Sequence, residues 1–436
     1  MRIDAFAIQG FPPFSDLEVK LPSKREVSKL AEVHILTGQN GTGKTRILSL
    51  LAAALGNRTE LDTRLNGATV LGGVTGISGK EKFAWFTSGP AGQLSQGREF
   101  HLGKALGNGH VHLSAHFSSL SGNADQRRQS NLGPFAAMSF RGVAEISDAE
   151  VTALSPIQIT DTSSLLSFKK LADENKHVAQ SLVNIKMAAA MDKLDDKVGV
   201  TTRATRLSDR LEESVSQITG RRFRFSVTPY PKVSLKVTWG GTPMRFSQLP
   251  DGLRCLIGWL AACVAKLDAL FPEHEDPLSI PLILLLDEPE GHLHPAWQRK
   301  LLPAAQALFP NGQFFVATHS PFVISSVNEG WIHVLRANAE GVVCFDKARE
   351  CSKGDSYLEI VEEVLGVKEW YDPETEELLK AFRQAKDAVL GGSWERETEL
   401  YEKAKGISVR SDSLKDIIGG EMRQFERLKQ QSKLRA

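Results

Sequence analysis

The sequence predicts an α/β chain with a sheet-based head, an inserted helical lobe and a charged helical tail. Three observations predict it. A glycine-rich turn, Gly38 to Thr45, stands between the apolar segment Val33–Leu36 and the helical run Ile47–Leu51. The wholly apolar run Pro281–Leu286 ends in the acidic pair Asp287-Glu288, and a third apolar strand, Gln313–Ala317, ends in Thr318-His319-Ser320. Short runs without polar alternation fit parallel strands buried on both faces, and sheets of this kind bind ligands at their carboxyl ends.

Element by element, residues 1–21 read as strands Ile3–Gln9 and Leu17–Leu21, joined by the turn at Gly10 to Pro13. The strand into the glycine turn and a helix to about Leu55 follow. Residues 56–135, rich in Gly, Ser and Asn, read as irregular β structure with long loops, and Phe135–Phe140 as another core strand. Between about Asp161 and Thr219 the pattern turns helical, through Leu182 and Ile185, then Leu207, Leu211, Val215 and Ile218, and these helices are expected to project as a lobe. Phe223–Thr228 and Val233–Trp239 alternate as a hairpin does, and residues 252–270 form an amphipathic helix. After about residue 352 the chain is charged and helical, with helices expected near Tyr357–Leu365, Pro373–Leu390, Trp394–Lys405 and Ser413–Leu428.

A chain of 436 residues exceeds the size at which one core stops growing, so more than one substructure is expected. Charged residues make up 24% and the formal net charge is +1, which argues against a generally basic nucleic-acid coat. The apolar runs are far below membrane-spanning length, the start does not read as a signal peptide, and Cys255, Cys263, Cys344 and Cys351 show no Cys-x-x-Cys spacing. A cytoplasmic protein without membrane contact is expected.

The turn Gly38-Gln39-Asn40-Gly41-Thr42-Gly43-Lys44-Thr45 has the form of a phosphate cradle. Its glycines let backbone N–H groups converge on an anion, and the helix that follows adds its positive end. Gly38, Asn40, Gly41, Gly43, Lys44, Thr45 and Arg46 are the candidate nucleotide-binding residues. Lys44 would reach the β- and γ-phosphates, and the Thr45 hydroxyl would hold Mg²⁺. Asp287 would support that metal. Glu288 would orient or deprotonate the attacking water, and His319 would touch the γ-phosphate or hold the water. Lys44, Glu288 and His319 are therefore the candidate catalytic residues. His292 and His294 beside the acidic pair suit a loop better than a zinc site. Phe246–Arg254 opens the long amphipathic helix, with Asp251 or Ser247 as its cap and Gly252 allowing close approach to a phosphate. That phosphate can belong to the same chain or to a second copy.

In this order, cradle, Leu249-Pro250-Asp251-Gly252 helix, Asp287-Glu288-Pro289, Leu293-His294-Pro295 and Thr318-His319-Ser320, the chain resembles the ABC-type ATPases of the SMC/RecF/OLD group. It is most similar to the compact AAA family ATPases of bacterial anti-phage systems of the Septu type. The resemblance implies a P-loop head with a mixed central sheet over residues 1–55 and 220–350. It places an inserted β/loop and helical lobe at 56–219 and a helical partner-binding region at 351–436. It also implies ATP and Mg²⁺ as cofactors, slow hydrolysis of ATP to ADP and phosphate, and a homodimer or higher oligomer around shared nucleotides. Ser247, Asp251 and Gly252 would then belong to the signature helix, His319 would be the switch histidine, and Gly291 to His294 the loop that meets the partner. Two departures stand out. Pro250 falls where a serine contacts the γ-phosphate, and the family's Q-loop glutamine stays unassigned, with Gln129 and Gln158 as candidates. Residues 331–436 lack the carboxylate pattern of a Toprim nuclease, so the effector is expected to be a separate protein, a nuclease above all. The alternative is a RecF-like DNA-repair ATPase, with nucleic acid touched by Arg127, Arg128, Arg221, Arg222 and Arg224.

Overall fold

A computed structural model describes residues 1–23, 29–55, 57, 61, 71–78, 81–86, 111–112, 134–142, 151, 155, 165–168, 174–194, 202–230, 232–327, 329–351 and 356–433. The chain divides into two compact units, Met1–Leu365 and Gly366–Ala436.

The first unit is built on a mixed sheet. Strands β3 (Glu32–Gly38), β7 (Ala136–Arg141), β11 (Leu282–Asp287), β12 (Gly312–Ala317) and β13 (Gly330–Ala337) run parallel, in the order β13-β3-β12-β11-β7. The short strands β14 (Val343–Phe345) and β15 (Arg349–Glu350) join β13 antiparallel. Register aligns Arg141 with Asp287, Asp287 with Ala317, and Ala317 with Leu36, so three strand ends finish level at one edge and β3 runs two residues past them to Gly38.

Both faces of this sheet are covered, which is why β11 is apolar from Leu282 to Leu286 and why the polar residues Glu32, His34, Gln313 and His333 of its other strands are buried too. Successive side chains go to opposite faces. Leu282, Leu284, Leu286, Phe314, Val316, Val33 and Ile35 enter one core with Leu182, Leu211, Leu256 and Leu301. Those partners lie on helices α2 (Glu174–Leu194), α3 (Arg203–Thr219), α4 (Asp251–Leu270) and α5 (Pro295–Leu308). Ile283, Leu285, Phe315 and Ala317 enter a second core with Phe6, Ile8, Ile47 and Leu51. That core holds α1 (Lys44–Ala54) and an antiparallel layer led by β1 (Arg2–Gln9) and β2 (Asp16–Lys20).

Three expectations change here. Within residues 56–135 the segments Leu71–Ser78 (β4), Glu81–Phe86 (β5) and Val111–His112 (β6) are regular strands that extend the β1–β2 sheet in the order β2-β1-β4-β5-β6. Helices α2 and α3 do not project as a lobe. Leu182, Val183, Leu207, Leu211 and Val215 are buried in the same core as the central sheet, because an apolar stripe of that width needs a surface to cover it. Residues 356–365 also belong to the head, with Ile360 and Val364 in its core. The expected hairpin is present as β8 (Phe223–Thr228) and β9 (Ser234–Trp239), and β10 (Thr242–Met244) adds a third strand.

The second unit contains α6 (Pro373–Leu390), α7 (Glu397–Ser408) and α8 (Asp412–Lys433). Asp372 caps α6 through Thr375 N–H at 3.1 Å. Leu379, Phe382, Val389, Leu400, Ile407, Ile418 and Phe425 form its own core, and Lys386 pairs with Glu421 at 2.6 Å. No helix among the described residues is long and apolar enough to cross a membrane.

Leu284 is fully buried at the centre of β11. Leu284→Ala should lower the stability of the chain by about 2–5 kcal/mol, read by chemical denaturation.

Candidate functional site

The turn after β3 takes its shape from glycine. Gly41 and Gly43 have φ of 83° and 90°, a region that side chains with a Cβ rarely occupy. Gly43 also has no room for more, since a Cβ there would lie 2.5 Å from the Phe14 ring. Gly38 serves packing: a Cβ would lie 2.3 Å from the Leu335 carbonyl oxygen of β13. Helix α1 starts directly at Lys44, with no side chain capping Gly43. Arg46 and Ile47 N–H donate to Gly43 O, which leaves the Lys44 and Thr45 N–H groups for an anion.

Lys44 is buried, and its ammonium donates to the carbonyls of Gly38 and Gln39 at 2.9 and 3.1 Å. Burial lowers its pKa, against the pull of Glu288 and Asp287, which raise it. Thr45 Oγ1 donates to Asp287 Oδ1 at 3.0 Å, across 242 positions of sequence. The cradle and the acidic pair therefore share one edge of the sheet.

Asp287 is the last residue of β11 and is buried. Glu288 turns out of the strand with φ 51°, a left-handed conformation that costs a non-glycine residue about 1–3 kcal/mol. Its N–H donates to Ala317 O at 2.8 Å, which anchors the strained residue to β12. The Glu288 carboxylate is partly exposed and lies 3.7 Å from His319 Nε2. Burial and the Lys44 charge hold the His319 pKa below its usual value, against Glu288 and Asp287, which raise it.

One cavity of ≈ 680 Å³ lies at this edge. Asn40, Gly41, Gly43, Lys44, Thr45, Arg46, Asp287, Glu288 and His319 all line it. Gly38 contributes through its carbonyl bond to Lys44 rather than as lining. Ser247, Asp251 and Gly252 are not in its wall. The capping expectation also changes: the residue before α4 is Pro250, whose carbonyl accepts the Arg254 N–H at 3.0 Å but whose side chain has no acceptor, and no side chain caps the helix. Asp251 instead pairs with Arg254. Gly252 packs on the loop after the acidic pair, where a Cβ would lie 2.5 Å from the His292 carbonyl oxygen. His294 caps α5 through Ala296 N–H at 3.2 Å.

Sequence reasoning missed several members of the wall: Pro12 and Pro13 come from the β1–β2 turn, and Arg141 and Gly142 from the end of β7. Gly291 and His292, expected as part of a loop that meets a partner, line the same cavity. A charged residue ending the apolar run Phe135–Phe140 was the available signal for Arg141. Of the arginines considered for nucleic acid, Arg127 and Arg128 lie outside the described residues, as do Gln129 and Gln158. Arg221 lies over the Trp239 ring at 4.7 Å, and Arg224 pairs with Glu212 at 2.6 Å.

Behind the wall, Glu290 is buried and accepts the Thr318 hydroxyl. Burial, with the nearby Glu288 carboxylate, pushes its pKa up to about 8. A carboxyl whose folded pKa is raised favours folding fully below its unfolded value near 4.5, and that contribution is lost as pH rises through about 8. Stability should fall across this window with a slope of at most about 1.4 kcal/mol per pH unit, and Glu290→Gln should flatten it in denaturation curves taken at several pH values.

Residues 33–325 match the family profile described as "AAA domain, putative AbiEii toxin, Type IV TA system". A Vibrio cholerae serotype O1 biovar El Tor protein named "Retron Vc95 probable ATPase" is 30% identical over 125 residues, which span 29% of this chain and 24% of that protein. "Septu protein PtuA" of Bacillus thuringiensis is 26% identical over 149 residues, 34% of this chain and 37% of its own length. The matches thus span well under half of these relatives. Among solved structures, the "SmcHead bound to the C-winged helix domain of ScpA" is 13% identical, covering 81% of this chain and 98% of that one with a TM-score of 0.42, a likeness too slight to argue from.

Proposed function

Since the chain belongs to the family described as "AAA domain, putative AbiEii toxin, Type IV TA system", we propose that it is an ABC-type ATPase of a bacterial anti-phage defence system. It binds ATP, hydrolyses it slowly, and scaffolds or restrains a separately encoded effector, a nuclease in the first instance. The observation that carries the nucleotide reading is the 3.0 Å hydrogen bond from Thr45 to Asp287, with Lys44 in the same cavity. The defence role is supported by the names of the retron and Septu relatives, whose matched segments fall on part of this chain.

The donor set fits a metal–triphosphate. Thr45 and Asp287 offer the hard oxygen ligands that Mg²⁺ prefers, and a cation bound there would neutralise charge on the phosphates. The turn's amides and the start of α1 receive the phosphate oxygens, and Lys44 exchanges its two carbonyl acceptors for them. Glu288 accepts a proton from water at the mouth of the cavity. His319 holds that water or the terminal phosphate.

Ser247, Asp251 and Gly252 lie outside the cavity wall, so in this reading they serve the nucleotide of a second copy. The chain works as a homodimer or a higher oligomer. The helices of residues 366–433 offer a surface for the effector.

Lys44→Ala should abolish binding of a fluorescent ATP analogue. Glu288→Gln should keep that binding, slow turnover by about 10²–10⁴-fold and accumulate a dimer in size-exclusion chromatography with ATP. Equal turnover in wild type and Glu288→Gln would remove Glu288 from its role. Co-expression with the product of the neighbouring gene should yield a stable complex in at least one nucleotide state, and its absence in all of them would sink the effector reading.

A further inference from the structure

The cavity contains a cation that the reading above does not use. Arg141 ends β7 in register with Asp287, and its Nε and one terminal nitrogen lie 3.0 and 2.7 Å from Asp287 Oδ2. Asp287 Oδ1 is already taken by Thr45 at 3.0 Å. Both oxygens that a divalent cation would seek are therefore held by donors of the protein.

The backbone beneath this pair leaves little freedom. Gly142 N–H donates to Asp287 O at 3.0 Å, and a Cβ on Gly142 would lie 1.7 Å from the Glu288 carbonyl oxygen. A Cβ on Gly291 would lie 2.5 Å from Gly142 O. The main chain of Arg141 is thus fixed against the acidic loop, while its side chain is 44% exposed and lines the cavity.

We propose that Arg141 is a built-in counter-ion of Asp287 that competes with the divalent cation and is released to the triphosphate. The inference rests on the nucleotide reading of the same cavity. A buried carboxylate needs a compensating charge, which Arg141 supplies when no ligand is bound. A guanidinium matches phosphate oxygens as well as carboxylate oxygens, so an arriving triphosphate offers it a second acceptor. A divalent cation alone offers none, and meets a like charge at the oxygens it needs. Metal and triphosphate consequently bind together, and metal without nucleotide binds weakly.

The test uses the full chain and two measurements. Mn²⁺ binding without nucleotide is read by electron paramagnetic resonance, and a fluorescent non-hydrolysable ATP analogue and its ADP counterpart are titrated in EDTA. Arg141→Gln should bind Mn²⁺ alone at least about tenfold more tightly than wild type, equivalent to about 1.4 kcal/mol. In EDTA it should lose several-fold of the affinity for the triphosphate and less for the diphosphate. Arg141→Lys keeps a positive charge and should hold Mn²⁺ binding within about threefold of wild type, which separates loss of charge from loss of fold. Unchanged Mn²⁺ affinity in Arg141→Gln, or an equal gain in Arg141→Lys, overturns the proposal. A wild-type chain that binds no nucleotide even with Mg²⁺ removes the functional reading instead.

Discussion

A carboxylate buried at the edge of a parallel sheet has to be compensated, and the way Asp287 is compensated organises the head. Leaving such a charge unmatched would cost several kcal/mol, so its neighbours are constrained before any ligand is considered. Thr45 comes from the cradle helix and Arg141 from the adjacent strand, and each takes one oxygen. Three segments far apart in sequence are thereby brought to one point. The parallel register sets Arg141 of β7 level with Asp287 of β11, and β12 and β3 carry the cradle turn to the same edge.

The same register explains why two cores meet on one sheet. Leu284 and Ile283 are neighbours in sequence, yet one packs under the long helices and the other under α1 and the antiparallel layer. A one-residue slip of β11 would exchange the two sets and turn Asp287 off the edge. Apolar packing on both faces therefore sets the position of the acidic pair.

Much of this was legible in the sequence, for physical reasons. The cradle has no other common explanation once a strand precedes it and a helix follows, and the all-apolar run Pro281–Leu286 fits a strand buried on both sides. The Phe223–Trp239 hairpin and the helix from Asp251 followed from their periods. What the sequence left hidden came from register and long-range packing. Arg141 is one residue after an apolar run, and nothing local says that run lies beside β11. The stripe of α3 announces a buried face but not what covers it. Pro250 as the residue before α4 hid a further fact, that the helix start rests on the loop after Glu288 instead of on a capping side chain.

Gly43 and Phe14 touch across the place where a Cβ is missing, and Phe14 belongs to the turn of the antiparallel layer. The cradle thus has a back wall that is put up when the chain folds, before any ligand arrives. Little ordering is left for the moment of association, and the turn keeps its curvature in the resting molecule. It follows that damage to the hydrophobic seam behind that wall, as between Phe6 and Phe345, would be felt as weaker nucleotide capture although every residue of the cavity is intact.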